Sequence, residues 1–383
     1  MIYFDNSATT RPLDDVIALV SRSMGECYGN ASSLHALGME AERRLRIAAE
    51  TLSGTVPCPA GAILFTSGGT ESINTAIKGY LAANPRKGRH IVSTEGEHPA
   101  VLESIRQMVS RGYEATLLPL ERNGRVDPDR LASAIRPDTA LISILHVNNE
   151  TGAITPPEEI ACIRDIRCPD AAIHMDCVQS FGKIPTPFGR AGYDMASVSA
   201  HKIHGPKGVG ALYIRPGLKL EPILHGGGQQ HGMRSGTENV ALIEGLALAA
   251  QIAAQRRPET PGIVRQIRDR LVSGLAGRVD HEILSPADAY PGILNVAFPG
   301  MPAEAMLHAL ESEGVYVSTG SACSSRKRKT SPVLRAMGIS DSIAASALRF
   351  SFSIYNSCEE ADAAAEAIVR ILDRYPVRSS KNR

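Results

Sequence analysis

The chain has no C-x-x-C pair, no apolar run long enough to span a bilayer, no internal repeat and no low-complexity tract. Its seven cysteines are an odd number, scattered at positions 27, 58, 162, 168, 177, 323 and 358. That pattern argues against a disulfide framework and a zinc site, and for a reducing cytoplasm; no metal is expected. A spanning helix needs about 20 consecutive apolar residues, and the opening MIYFDNSATT carries acid and polar groups where a signal peptide needs a basic and then an apolar stretch. Excess charge is missing too. Charged residues make up 21% and the formal net charge is +1, so no global field points to nucleic acid or a membrane surface. At 383 residues there is room for two domains and a large core. The expectation is a soluble, cytoplasmic α/β protein.

What is there centres on residues 194–215, DMASVSAHKIHGPKGVGALYIR. Met195 to Val198 reads as a buried strand, followed by Ser199, Ala200, His201 and Lys202, a glycine-broken turn, and a second strand from Val209 to Ile214. A lone lysine in a hairpin is ordinarily a surface residue. A lysine where a buried strand enters a polar loop differs, because desolvation disfavours its charged form and the neutral amine attacks carbonyls. That suits Lys202 to hold an aldehyde cofactor, and the flanking Ser199, His201 and His204 strengthen the reading.

Other strand ends supply the corroboration. Ala62 to Thr66 reads as a strand running into Ser67-Gly68-Gly69-Thr70 and a helix from Ile73 to Ala83. Free N–H groups and the Thr70 hydroxyl at a helix N-terminus form a phosphate cradle, with Gly69 and Thr70 as contacts. Strands at His90 to Thr94, Ala140 to Val147 and Ala171 to Met175 end near His98, Asn149, and Asp176 with Gln179. Strands alternating with helices imply a mainly parallel sheet covered on both faces, with ligands outside the strands' carboxyl ends. A buried Asp176 can keep a pyridine nitrogen protonated, and His98 can lie over the ring and move protons. Pyridoxal 5'-phosphate fits these requirements.

The motifs YFDNSATT, YGNASSLHALG, TSGGTESIN, EHPAV, HVNNETG, HMDCVQS, SAHKIHGPKGVG, GGGQQHGMRSGTEN, STGSACSS, VLRAMG and ALRFSFS run nearly end to end. In type and order they resemble the NifS/IscS-type cysteine desulfurases, class-V aminotransferase relatives with the fold-type I architecture of pyridoxal-phosphate enzymes. The resemblance implies a large cofactor-binding domain over residues 15–255. A smaller α+β domain would be built from 1–14 and 256–383, carrying the catalytic cysteine loop. It implies that Lys202 tethers the cofactor, Asp176 pairs with the pyridine nitrogen, Gln179 and Asn149 lie near the phenolic oxygen, and His98 stacks on the ring. Thr70, Ser199 and His201 would bind the phosphate, with Thr237 reaching across from the partner of a homodimer. Arg349, assisted by Asn149, would bind the substrate carboxylate.

The same resemblance makes Cys323 the nucleophile, taking sulfur from L-cysteine as a persulfide and leaving L-alanine. The sulfur would pass to an acceptor protein, an iron–sulfur scaffold or a tRNA-thiolation enzyme; a selenocysteine lyase is the alternative on the same scaffold. Cys323 stands among small polar residues and just before Arg326-Lys327-Arg328-Lys329, and cations favour the thiolate. The RKRK run departs from the small, polar or acidic residues usual in the family, and Gln230-His231 stands where relatives often have Glu followed by a variable residue.

Overall fold

The computed structural model describes residues 1–186, 188–190, 192–320 and 330–374. Cys323 and the 326–329 basic run lie outside the described residues. In chain order the strands are β1 (Ile2–Tyr3), β2 (Ile63–Thr66), β3 (His90–Thr94), β4 (Glu114–Leu118), β5 (Thr139–Leu145), β6 (Ala172–Asp176), β7 (Met195–Ser199), β8 (Gly210–Ile214), β9 (Glu282–Ile283), β10 (Ile293–Ala297), β11 (Val315–Tyr316) and β12 (Ala347–Ser351).

Strands β2 to β8 form one seven-stranded sheet in the order β2-β8-β7-β6-β5-β3-β4. Only β8 runs antiparallel to its neighbours; the other six run in one direction. Six carboxyl ends therefore open on one edge. All seven residues of β5, TALISIL, are buried, as expected of a strand covered on both faces. On one face Ile142, Ile144, Ile173 and Met175 share a cluster with Leu246 and Ala249 of the helix Val240–Arg256. On the other, Leu141 and Ile91 meet Ile73, Ile77 and Val101. Polar groups inside the sheet are satisfied in a row: His174 bonds through Nδ1 to Ser143 Oγ (2.9 Å) and through Nε2 to Ser197 Oγ (2.8 Å). Burial drives this imidazole neutral, down to about 3.

The remaining strands make two small sheets, β1 beside β11 and β12-β10-β9. Phe4, near the N-terminus, is fully buried among Leu294, Phe350 and Ile368 and meets Phe352 edge-on at 5.0 Å. Among the described residues no helix is long and apolar enough to cross a membrane.

Several boundaries differ from the sequence reading where the site is built: β5 ends at Leu145 rather than Val147, and β7 runs to Ser199 rather than Val198. The helix after β2 starts at Gly69, not Ile73. Gly68, at φ +151°, turns the chain early, and its carbonyl accepts from Ser72 N–H at 3.1 Å. Thr70 thus lies in the first turn. Strand β6 extends one residue further than read, so Asp176 pairs with Leu145 and Ser197 across the sheet and is held by it.

Candidate active site

Ten of the residues singled out in the sequence line one cavity of about 190 Å³ at the carboxyl edge of the large sheet: Gly69, Thr70, His98, Asn149, Asp176, Gln179, Ser199, His201, Lys202 and Arg349. They arrive from the ends of β2, β3, β5, β6 and β7 and, for Arg349, from β12. Thr237 lies outside it, exposed on the stretch before the helix Val240–Arg256. Cys323 lies outside the described residues.

The floor at the β2 end is a close approach of three chain segments. A Cβ on Gly69 would stand 2.8 Å from Val178 Cγ2, and one on Gly210 would stand 2.7 Å from Gly68 Cα. Only glycine lets the turn come this near. The turn is braced by Thr66 Oγ1, 2.8 Å from Ser72 Oγ, and by Glu71, whose Oε2 accepts from Ser67 N–H at 2.7 Å. Arg234 pairs with Glu71 in turn, at 2.9 Å. Among the described residues no side chain caps the helix start at Gly68, so its first N–H groups are left for a ligand.

A buried acid and half-buried imidazoles meet around Lys202 in the cavity. Asp176, 2% exposed, accepts from Val178 N–H at 3.0 Å. Burial pushes its carboxyl up to about 6, against the pull of that hydrogen bond and of Lys202. A cationic N–H beside it would restore full ionisation. Burial and then the charges of Lys202, Lys207 and Lys183 push His201 down to about 4. An anion beside Ser199, His201 and Lys202 relieves that repulsion. His98 caps the helix Pro99–Val109: its Nδ1 accepts from Ala100 N–H at 3.1 Å, which leaves the proton on Nε2. Burial, and secondarily Lys202, hold this ring neutral, near 4.

Lys202 Nζ donates to the carbonyls of Ser7 (2.5 Å) and Ala8 (2.7 Å). Arg349, 2% exposed, pairs with Asp5 at 2.8 Å and donates to the Asn149 carbonyl at 3.0 Å. Asn149 Oδ1 and Arg349 Nε are buried without a hydrogen-bond partner among the described residues. An orphaned acceptor and donor, a glycine cradle, a buried carboxylate and the cationic Lys202 beside Ser199 and His201 fit a pyridinium ring bearing a phosphate. Among the described residues no group of His, Cys, Asp or Glu is arranged to hold a metal ion.

Sequence reasoning missed Ser7 and Ala8, which act through main-chain carbonyls and carry no signal in residue type. It also missed Glu97, buried beside His98. Glu97 Oε1 accepts from Thr94 Oγ1 (2.8 Å) and Leu145 N–H (3.1 Å), tying β3 to β5, and burial pushes it up to about 8.

The aminotransferase class-V family model matches residues 2–364. A protein of Dictyoglomus turgidum described as cysteine desulfurase IscS is 39% identical over 375 residues, covering 97% of this chain and 95% of that protein. A solved structure titled NifS-like protein superposes with a TM-score of 0.92 at 38% identity, covering 97% of this chain and 99% of the other. Another, titled SspA in complex with cysteine, gives 0.82 at 30% identity over 93% of this chain and all of that one.

Proposed function

The chain belongs to the aminotransferase class-V family, and from that premise we infer that it is a pyridoxal 5'-phosphate-dependent cysteine desulfurase, converting L-cysteine to L-alanine. The observation that carries this reading is the convergence of Lys202, Asp176, His98 and Arg349 on one cavity. Relatives described as cysteine desulfurases cover nearly the whole chain, and nothing in them favours the selenocysteine lyase alternative.

When bound, the cofactor supplies an electron sink for a carbanion beside the substrate nitrogen. Lys202 would tether it. Thr70, Ser199, His201 and the N–H groups that start at Gly69 would hold its phosphate, and Asp176 would keep a proton on its ring nitrogen. Gln179 and Asn149 would lie near its phenolic oxygen. Arg349 would bind the substrate carboxylate; a guanidinium screened from water makes a strong, directional partner. His98, neutral with its proton on Nε2, is in a state to exchange protons at neutral pH.

Cys323 completes the reaction. Its thiolate attacks the substrate sulfur, the substrate's C–S bond breaks and an S–S bond forms. Cysteine plus enzyme thiol gives alanine plus enzyme persulfide, with atoms and electrons balanced. The sulfur then passes to a thiol acceptor protein in iron–sulfur cluster assembly or tRNA thiolation. Arg326 to Lys329 would steer an acidic acceptor toward Cys323. The working unit is a cytoplasmic homodimer in which Thr237 reaches the partner's phosphate.

The test is cofactor-loaded protein with L-cysteine and a small thiol, scored for alanine and sulfide in equal amounts. Cys323→Ser should still change the cofactor absorbance on adding cysteine, yet carry no persulfide and release almost no alanine, because a serine hydroxyl is too weakly ionised to accept sulfur. Alanine release by that variant at the parent's rate would refute the role of Cys323. Replacing Arg326 to Lys329 with serine should slow only transfer to a protein acceptor and remove its salt dependence.

A further inference from the structure

Lys183 plays no part in the reaction above, yet its ammonium is wired to the cavity wall. Its Nζ donates to Gln179 Oε1 at 3.0 Å. The other end of that amide, Nε2, donates to the Ser7 carbonyl at 2.9 Å. The same carbonyl accepts from Lys202 Nζ. A carbonyl is an acceptor only, and a lysine ammonium has donors only, so Ser7 and a charged Lys183 impose one sense on the amide. Its oxygen faces Lys183, one N–H is taken by Ser7, and the second N–H is what Gln179 has left to offer the cavity it lines.

The charges around Lys183 are nearly all of one sign. Half-buried, it lines a second, smaller cavity with Lys202, His204 and Arg256, to which no carboxylate among the described residues contributes. Arg256 has its own partner in Glu259, at 3.7 Å. Lys202 and Arg349 add to burial in pushing Lys183 down to about 7, and Lys183 in turn disfavours protonation of His201 and His204. In the larger cavity Asp176 is the one carboxylate among the described residues, and the imidazole of His98 also feels Lys202.

We propose that Lys183 is a positioning residue: it locks the Gln179 amide with its nitrogen toward the cofactor cavity and adds a positive charge behind the Lys202 amine. The inference rests on the cofactor reading above. It is tested on loaded protein without substrate, by titrating the visible absorbance against pH. Removing a nearby cation makes the proton on the Lys202-linked nitrogen cheaper to hold. Lys183→Met should therefore shift the midpoint upward by roughly half to one unit. Lys183→Arg, which keeps charge and donors, should restore it toward the parent value. Should Lys183→Met lose its fold by circular dichroism, Lys183→Gln, uncharged but still a donor, carries the same titration. A midpoint unmoved or lowered in a folded, uncharged variant overturns the proposal. If the parent itself forms no visible band that borohydride makes covalent, the cofactor reading fails instead.

Discussion

The cavity has two walls built in different ways. One is the edge of the seven-stranded sheet, where Thr70, His98, Asn149, Asp176, Gln179, Ser199, His201 and Lys202 each stand at or just past a strand end. The other is assembled from distant pieces: Ser7 and Ala8, whose carbonyls hold Lys202, and Arg349 on β12, which Asp5 holds in turn. On the first wall, position follows from a strand and its turn, so a local change has a local effect. On the second, Arg349 is held by Asp5 and by the Asn149 carbonyl, 344 and 200 residues away in sequence. A change there disturbs several segments together.

The sheet-edge wall should show the sharper chemical losses. Lys202→Ala removes the tether without opening a core cavity, and turnover should fall on the order of 10⁴-fold or more with the fold retained. Circular dichroism with an alanine assay checks this; a surviving absorbance band that borohydride can fix to protein would break the assignment. Asp176→Asn should come next, with kcat down roughly 10²- to 10³-fold and cofactor affinity changed far less, since it weakens a charge rather than the phosphate grip. An unchanged kcat would mean that another group faces the ring nitrogen.

The assembled wall should respond differently. Arg349→Ala should raise KM for L-cysteine on the order of 10- to 100-fold. It should also lower stability, because Asp5 loses its cation. Substrate titration and thermal unfolding measured together test the pairing of effects. A rise in KM with no loss of stability would show the two walls to be more alike than the contacts imply.

Smaller effects sharpen the comparison. Gly69→Ala places a methyl 2.8 Å from Val178 Cγ2 and should destabilise by about 1–3 kcal/mol. Val178→Ala in the same chain should return part of that, a coupling readable in a double-mutant cycle; strict additivity would argue against the clash.

The smallest expected effect is a pH slope at Glu97. Burial raises its carboxyl to about 8 from an ordinary value near 4.3. The folded state therefore binds the extra proton, and its contribution to stability is complete at low pH and lost as pH rises through 8. His98, His146 and His201 are pushed down to about 4 and act oppositely, but only below about pH 6.5. Between pH 6.5 and 8, Glu97→Gln should gain on the parent as pH rises. Denaturant unfolding across that range checks it; a difference that stays flat would show Glu97 ionised.

The sequence by itself determined the strand–loop–helix alternation, and with it the sheet-edge wall. Chemistry-bearing residues just past buried apolar runs are local features, and parallel connection places their ends on one edge. It also determined the family, through motifs that recur in order along the whole chain. Only the tertiary structure decided the opposite wall, because long-range contacts such as Asp5 with Arg349 and main-chain groups such as the Ser7 carbonyl leave no trace in residue type. It decided the protonation states as well. Glu97, His98 and Asp176 are ordinary titratable residues in the sequence, and it is removal from water, with the charges that the fold brings beside them, that moves each from its usual range.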